Sequence, residues 1–172
     1  MSSRLIDSTC CARTSSLGSV ITSVAIRRAV AADFAGVLRL LAQLSPTWSE
    51  EDVDEPVTAH VERTWARMLG QEGRAVLVAE DAGRIVATLD MVMVAVLTDG
   101  AAPTAVIMNM VVDRLCRRAG IGRALLEAAV SLARNARCGM VELLSSKERA
   151  ETHRFYRSLG FEAQAEGFRL PL

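Results

Sequence analysis

Apolar residues recur along the chain at two spacings in turn, and this alternation predicts a protein built from both helices and strands. Within residues 31–45, Phe34, Val37, Leu38 and Leu41 lie on one face of a helix. The same helical spacing is found over residues 57–69, 121–132 and 147–160. Runs rich in β-branched residues predict strands at residues 23–28, 75–81, 84–98, 104–113, 138–144 and within 161–172.

The predicted strands in the middle of the chain are expected to be buried parts of one core. Residues 84–98 and 104–113 are rich in Val, Ile and Met with little alternation, which is typical of strands covered on both faces. The sequence shows neither an internal repeat nor a second core, so we predict one α/β domain (mixed α+β) over residues 23–172. Residues 1–22 are rich in Ser, Thr and Arg and are predicted to be a disordered extension, with a transit peptide as the alternative.

The composition is that of a globular protein without a charge bias. Hydrophobic residues make up 51% and charged residues 23%, and 20 basic residues balance 20 acidic ones. The overall charge therefore gives no attraction to nucleic acid or to a membrane. The apolar run at residues 85–97 is interrupted by Asp90 and is too short to span a membrane. The four cysteines and two histidines lack metal-ligand spacing, so we expect no metal site and free thiols in a reducing cytoplasm.

A Gly-x-Gly stretch at Gly120 and Gly122 lies between a predicted strand and a predicted helix. The first amides of a helix have no partner inside it, so such a turn can bind an anion. Arginines surround the turn: Arg117, Arg118 and Arg123. The stretch is not a Walker loop, because no Gly-Lys-Ser/Thr follows, and Leu125 stands at the third glycine of a dinucleotide fingerprint. From these residues alone, an anion site and an ordinary turn both remain open.

Residues 117–122 resemble the (Gln/Arg)-x-x-Gly-x-(Gly/Ala) motif of the GNAT superfamily, the acetyl-CoA-dependent N-acetyltransferases. Residues 106–113 resemble the strand that precedes this motif in the family, and residues 122–134 resemble the helix that follows it. Residues 153–161 are similar to the family's late Phe-Tyr-x-x-x-Gly-Phe element. The order of elements from Val24 onward also fits. The resemblance implies a single GNAT-like domain, with a mostly antiparallel twisted sheet of six to seven strands flanked by about four helices.

The resemblance implies how coenzyme A is held. The amides of the glycine loop bind the pyrophosphate, and the pantetheine arm lies along the backbone of the preceding strand. An N–H near Val111 would stabilise the oxyanion formed from the thioester carbonyl. Arg149 stands where relatives often have an asparagine that contacts the cofactor. The implied cofactor-binding residues are Met110, Val111, Val112, Arg117, Arg118, Ala119, Gly120, Ile121, Gly122, Arg123 and Arg149.

Catalytic roles follow from the same resemblance, with one departure from the family pattern. Tyr156 matches the tyrosine that gives a proton to the departing thiolate, although its place on an apolar helix face also suits a core tyrosine. Many relatives have a carboxylate on the strand where this chain has Met108, so the general base is open. The substitutes considered are Asp90, Glu142 and Asp113, and we expect His153 to be structural.

The implied function is transfer of an acetyl group from acetyl-CoA to a primary amine of a small molecule or protein, in a ternary complex. Two alternatives remain: an acetyl-CoA-binding sensor without strong catalysis, and a toxin-type enzyme that acts on aminoacyl-RNA. The loop over residues 45–56 holds Trp48 and an acidic cluster, which either attract a cationic amine or form a solvated loop. Relatives often dimerise, so a homodimer is one expected arrangement, while membrane and nucleic-acid partners are not expected.

Overall fold

The computed structural model describes residues 24–44 and 58–172. Its strands are β1 (Ala25–Arg28), β2 (Arg74–Asp81), β3 (Arg84–Val94), β4 (Thr104–Val112) and β5 (Met140–Leu143). Its helices are α1 (Phe34–Ala42), α2 (Ala59–Gly70), α3 (Ile121–Asn135) and α4 (Ala150–Arg157). Single 3-10 turns lie at Ala31–Asp33, Asp99–Ala101 and Arg114–Cys116. The predicted mixed α/β fold is confirmed.

The five strands form one sheet in the order β1-β2-β3-β4-β5. Neighbouring strands are antiparallel from β1 to β4, whereas β5 runs parallel to β4 after the crossover through α3. The turn between β2 and β3 contains Ala82 and Gly83, both with positive φ, as a tight hairpin requires. The sheet thus changes from antiparallel to parallel at β4, and α3, which connects the two parallel strands, starts at the glycine stretch.

Helices cover both faces of the sheet and give two apolar clusters. On one face, α3 packs Leu125, Leu126 and Ala129 against the inward residues of β3 and β4, such as Leu89 and Ile107. On the other face, α1 and α2 contribute Leu40 and Trp65, which pack with Val76, Val78 and Val111. Apolar side chains of β2, β3 and β4 contribute to both clusters, as their unbroken apolar sequence predicts.

The strand predicted within residues 161–172 is wrong, and the part of the chain that the structure describes forms a sheet of five strands, where six to seven were expected. This segment contains Pro171, which has no N–H for a ladder, and Phe168, Leu170 and Leu172 are exposed. It is tied to the domain through an exposed ion pair between Lys147 and Glu166. Beyond Phe161, which packs on the core, every residue of the segment is exposed, so it does not have the packing that makes a strand stable.

Other expectations concern parts of the chain that the structure does not describe. The predicted extension at residues 1–22, Val57 of the second predicted helix and the acidic loop at residues 45–56 all lie outside the described residues. Across the described ranges, no helix is both long and apolar enough to cross a membrane.

Candidate active site at the β4–β5 gap

The parallel strands β4 and β5 pair only at their N-terminal ends. Thr104 to Ile107 pair with Met140 to Leu143, and β5 then ends while β4 continues to Val112. Of the described strands, none pairs with the β5 side of residues 108–112. A gap therefore opens in the sheet from Met108 onward, and it runs along Met110, Val111 and Val112, which the resemblance assigned to the cofactor.

The antiparallel ladder decides which amides of β4 face this gap. The Asp113 N–H donates to the Val86 carbonyl at 2.8 Å, and Val111 is the direct partner of Thr88. Because bonded and non-bonded pairs alternate in an antiparallel ladder, the amides of 111 and 113 point toward β3, and the Val112 amide points away from it. The backbone of Val112 thus faces the gap.

A β-bulge directs two further residues out of the ladder. Asn109 and Met110 together oppose Leu89 of β3, and Asn109 has a positive φ of 53°. The Met93 N–H donates to the Gly73 carbonyl of the β2 side at 2.7 Å. Because the orientation repeats every second residue, the backbone N–H and C=O of Leu89 also point toward β2. Leu89 therefore cannot pair with the bulge. The amides of Asn109, Met110 and Val112 lie outside the β3 ladder, on either side of Val111.

The glycine stretch forms the N-terminus of α3 next to this gap. Gly120 is the N-cap residue with a left-handed φ of 80°, and its carbonyl accepts the first helical hydrogen bond, from the Ala124 N–H. The amides of Ile121, Gly122 and Arg123 thus precede the first bonded amide of the helix. No side chain caps them among the described residues. Three amides at the positive end of a 15-residue helix suit an anionic group.

The two glycines have different physical roles. A Cβ at Gly120 would meet no atom within 4 Å, so the positive φ is what favours glycine there. A Cβ at Gly122 would lie 3.3 Å from the Val112 side chain and 3.5 Å from that of Met110. Gly122 therefore allows α3 to start in close contact with the part of β4 whose amides leave the ladder.

Positive charge is concentrated at the same end of the gap. The Arg117 Nε donates to the Val112 carbonyl at 3.2 Å. Partial burial lowers the pKa of Arg117, and the nearby charges of Arg114 and Arg149 act in the same direction, against Asp113. Because these arginines repel one another, an anion between them and the start of α3 would be stabilised.

Tyr156 of α4 also lies at the gap beside β4. Its hydroxyl lies 3.9 Å from the Met110 Sδ, and its ring packs against Phe155 and Phe161 at centroid distances of 5.4 and 5.9 Å. Burial raises the pKa of the phenol, with Arg149 partly opposing this shift. The structure thus brings the predicted tyrosine and the predicted strand segment together, and keeps the hydroxyl protonated at neutral pH.

The remaining predicted cofactor residues lie on the loop before α3, in its first turn and at the start of α4. Arg118 is exposed with a φ of 64°, Ala119 is half-buried, and Arg123 lies 3.5 Å from the Ser158 hydroxyl. Arg149 is the N-cap residue of α4 and its guanidinium donates to the Leu44 carbonyl at 3.3 Å. His153 is half-buried on α4.

The three substitutes for the missing base have very different surroundings. The Asp113 carboxylate accepts hydrogen bonds from Arg39, Arg84 and the Leu115 amide. Burial tends to raise its pKa, but these donors outweigh burial and hold the pKa below its usual range. Glu142 is exposed on β5. Asp90 is only 4% exposed, and burial raises its pKa despite the positive charge of Arg74.

Sequence reasoning missed a set of contacts that hold the loop between β4 and α3. Arg39 of α1 binds Asp113 at 2.6 Å and the Ile85 carbonyl at 2.7 Å. The Gln43 side chain accepts from the Arg114 amide at 3.1 Å. We call this group, Arg39, Gln43, Arg84 and Asp113, the loop clamp. Its signal in the sequence is an arginine between the apolar positions of the first helix, which alone does not indicate a partner.

Comparisons with known proteins agree with this architecture. The sequence profile of the acetyltransferase (GNAT) family matches residues 37–161. The uncharacterized N-acetyltransferase YhdJ of Bacillus subtilis is 39% identical over 67 residues, which are 38% of this chain, and the chain spans about half, 47%, of that protein.

Solved structures have the same fold. A candidate acetyltransferase from Agrobacterium tumefaciens str. C58 is 33% identical with a TM-score of 0.78, covering 86% of this chain and 99% of that one. Glucosamine-6-phosphate N-acetyltransferase from Arabidopsis thaliana is 22% identical with a TM-score of 0.73, covering 87% and 98%. Because the family profile covers most of the chain, including β4, the glycine stretch and α4, this protein belongs to the acetyltransferase (GNAT) family.

Proposed function

We propose that the protein is an acetyl-CoA-dependent N-acetyltransferase that acts on a primary amine by direct attack in a ternary complex. One observation carries the proposal: amides that leave the β4 ladder, the uncapped start of α3 and the Tyr156 hydroxyl meet at one gap in the sheet. This combination suits a ligand with an extended amide arm and a phosphate group at one end.

The chain's own groups fit coenzyme A. The amides of Ile121, Gly122 and Arg123 would hold the pyrophosphate, with Arg117 adding positive charge. The backbone of Met110 and Val112 would pair with the pantetheine arm as a strand does. Bound acetyl-CoA supplies the acetyl group as a thioester.

Two groups would assist the transfer. An N–H from Met110 or Val112, next to Val111, would donate to the thioester oxygen as negative charge develops there. Tyr156 would give its proton to the thiolate sulfur, since its hydroxyl contacts the Met110 side chain at the gap.

We propose that the protein works in the cytoplasm. That it forms a homodimer stays a prediction from the resemblance.

Binding of the cofactor is tested by thermal unfolding with and without acetyl-CoA. At a concentration about 100-fold above Kd, the ligand should raise Tm by roughly 5–10 °C. Gly120→Asp should abolish this shift, because a carboxylate at the helix start repels the phosphates. The matched control is Gly83→Asp, since Gly83 has the same positive φ, 81° against 80°, and also no atom within 4 Å of an added Cβ. If Gly120→Asp retains the shift, the phosphate site is elsewhere.

Catalysis is tested by release of free thiol from acetyl-CoA with a panel of amines: spermidine, glucosamine 6-phosphate, an aminoglycoside and a lysine peptide. Thiol release that requires an amine supports the enzyme. The missing carboxylate on β4 favours one second candidate, an acetyl-CoA-binding sensor. Thermal stabilisation without thiol release by any amine would establish the sensor and reject the enzyme.

A further inference from the structure

Asp90 is a buried carboxylate with an unused oxygen. Its side chain lies in the middle of β3, and its Oδ2 is 3.3 Å from the Arg74 Nη1. Within residues 24–44 and 58–172, its Oδ1 has no hydrogen-bond partner, and the Nε of Arg74 has none either. Native proteins seldom bury polar atoms in this way, and each such atom calls for an explanation. Two unpaired atoms in one buried ion pair indicate that the pair serves something other than stability.

The position of Asp90 in the sheet gives that explanation. Asp90 is the direct cross-strand partner of Met108, so the two side chains lie side by side on one face of the sheet. Met108 is 37% exposed and is the first residue of β4 beyond the last pair with β5, that of Ile107 and Leu143. The Asp90 carboxylate is thus next to the start of the gap, on the face of α1 and α2.

The charges that face Asp90 from neighbouring elements are few. From β2, Arg74 contacts it directly. From β4, its neighbours on this face are Val106 and Met108, which are uncharged. From β5, Glu142 points to the same face but is exposed. From α2, the residues packed against this face include Met68 and Leu69, also uncharged. Of the charged residues in the described ranges, Arg74 is therefore the one that acts on the pKa of Asp90.

We propose that Asp90 is the general base that takes a proton from the acceptor amine, directly or through one water beside Met108. This assignment rests on the proposed N-acetyltransferase function. A carboxylate cross-strand from position 108 would then do the work for which many relatives use a carboxylate on β4. Oδ1 is the proton acceptor, and the positive charge of Arg74 beside Oδ2 favours the ionised form of the carboxylate.

The proton balance is complete with groups already described. The amine nitrogen forms a bond to the acetyl carbon, and the bond from that carbon to sulfur breaks. An ammonium acceptor loses two protons in all. One leaves through Asp90 to solvent, and the other replaces the proton that Tyr156 gives to the sulfur.

Asp90→Asn tests the proposal through the acceptor's own basicity. The variant should lower kcat/KM about 100-fold at pH 7 for an alkyl amine, because the amine is then almost entirely protonated. The loss should shrink toward pH 10, and it should be small for hydroxylamine, which is unprotonated at neutral pH. The Tm shift with acetyl-CoA should persist. The control is Thr88→Val, a buried change on the same face of β3 that should keep the pH profile.

Two further variants keep the test independent of how well Asp90→Asn folds. Arg74→Met should move the acidic limb of the kcat/KM profile to higher pH, since Arg74 lowers the pKa of Asp90. Met108→Glu combined with Asp90→Asn should recover at least tenfold of the lost rate, because the new carboxylate lies cross-strand from position 90.

The outcomes separate the two proposals. If the wild type acetylates no amine, the proposed function fails and the role of Asp90 fails with it. If the wild type is active and Asp90→Asn stays within threefold at pH 7 for alkyl amines, Asp90 is not the base. Equal losses for alkyl amines and hydroxylamine, or loss of the acetyl-CoA shift, would make Asp90 a structural residue and also overturn the proposal.

Discussion

At the scale of single residues, the site depends on which bonds each polar group already makes. The Asp113 carboxylate is engaged by two arginines and an amide, so it is occupied with holding its loop. The Tyr156 hydroxyl has a weak contact with a sulfur atom, and one oxygen of Asp90 accepts no hydrogen bond from any residue that the structure describes. Groups with weak or missing partners are free to exchange protons with a substrate, and those two residues border the gap from opposite sides.

Tyr156→Phe should reduce kcat about 100-fold and leave the KM for acetyl-CoA nearly unchanged, because it removes a proton donor and keeps the ring packing. Since burial raises the phenol's pKa, the wild type should keep its activity up to at least pH 10 before the donor ionises. Steady-state kinetics from pH 6 to 11 measure this. A variant with wild-type kcat would place the proton donor elsewhere.

Some residue roles could be predicted from the sequence and others not. The motif indicated both glycines, but it could not tell that Gly120 provides a left-handed φ while Gly122 allows close packing. It placed the oxyanion donor near Val111, and only the ladder shows which neighbouring amides face the gap. Asp90 was visible as a charge inside an apolar run, yet an unpaired oxygen depends on side-chain positions that no sequence pattern encodes.

At the scale of elements, α1 supports the loop between β4 and α3 from the opposite side of the sheet. The loop clamp links Arg39 of α1, and Gln43 directly after α1, to the residues just after β4. Leu44, which follows Gln43, accepts a hydrogen bond through its carbonyl from Arg149 at the start of α4. The end of α1 thus contacts both segments that flank the gap, although it contributes no residue to the gap itself.

Arg39→Met should raise the KM for acetyl-CoA several-fold with a smaller change in kcat, because the loop before α3 loses its anchor. The unfolding free energy should fall by roughly 2–3 kcal/mol, less than for a fully orphaned buried charge, since Arg84 still binds Asp113. Kinetics and urea unfolding measure the two effects, and Arg39→Lys should recover part of both. Arg63→Met, at an exposed arginine of α2, is the control. An unchanged KM would show that the clamp serves stability alone.

The elements themselves were largely predictable, because their apolar spacing reports burial. The helices and the five strands lie where the periodicity placed them, within a few residues at the ends. The predicted sixth strand failed because Phe168, Leu170 and Leu172 alternate as a strand does but face solvent. An alternating pattern predicts a strand only where another surface covers it, and the sequence does not say which surfaces remain uncovered.

At the scale of the whole molecule, two buried carboxylates secure one end of the sheet. Asp33 binds Arg27 of β1 and the Val30 amide, and Asp113 joins α1 to β3 and β4. The hydrogen bond from Arg27 holds the pKa of Asp33 below its usual range, and the pKa of Asp113 is lowered as well. Asp90 differs from these two carboxylates, because its pKa is raised above the usual value.

Stability should therefore be lost in acid. A carboxylate with a lowered pKa stabilises the fold fully above its unfolded pKa, about 3.9, and this contribution disappears as the pH falls through the folded value. Tm should decline steadily below pH 4, and less steeply in Arg39→Met, which has already lost part of the contribution. Asp90→Asn should lose less stability than Arg39→Met at pH 7, because removal of a buried carboxylate charge offsets part of the cost of leaving Arg74 without its partner. A Tm that does not depend on pH between 7 and 3 would contradict this account.

The proposed recognition of the cofactor through backbone amides would also shape how this protein evolves. Every residue except proline supplies an N–H, so positions 110 and 112 can accept many substitutions and still present the same donors to the gap. If the cofactor binds as proposed, this end of the fold is therefore tolerant of side-chain changes. Under the same proposal, selection for a new acceptor would act on the α1 and α2 side of the sheet, where Asp90 and Met108 lie, and would leave the proposed acetyl-CoA site unchanged.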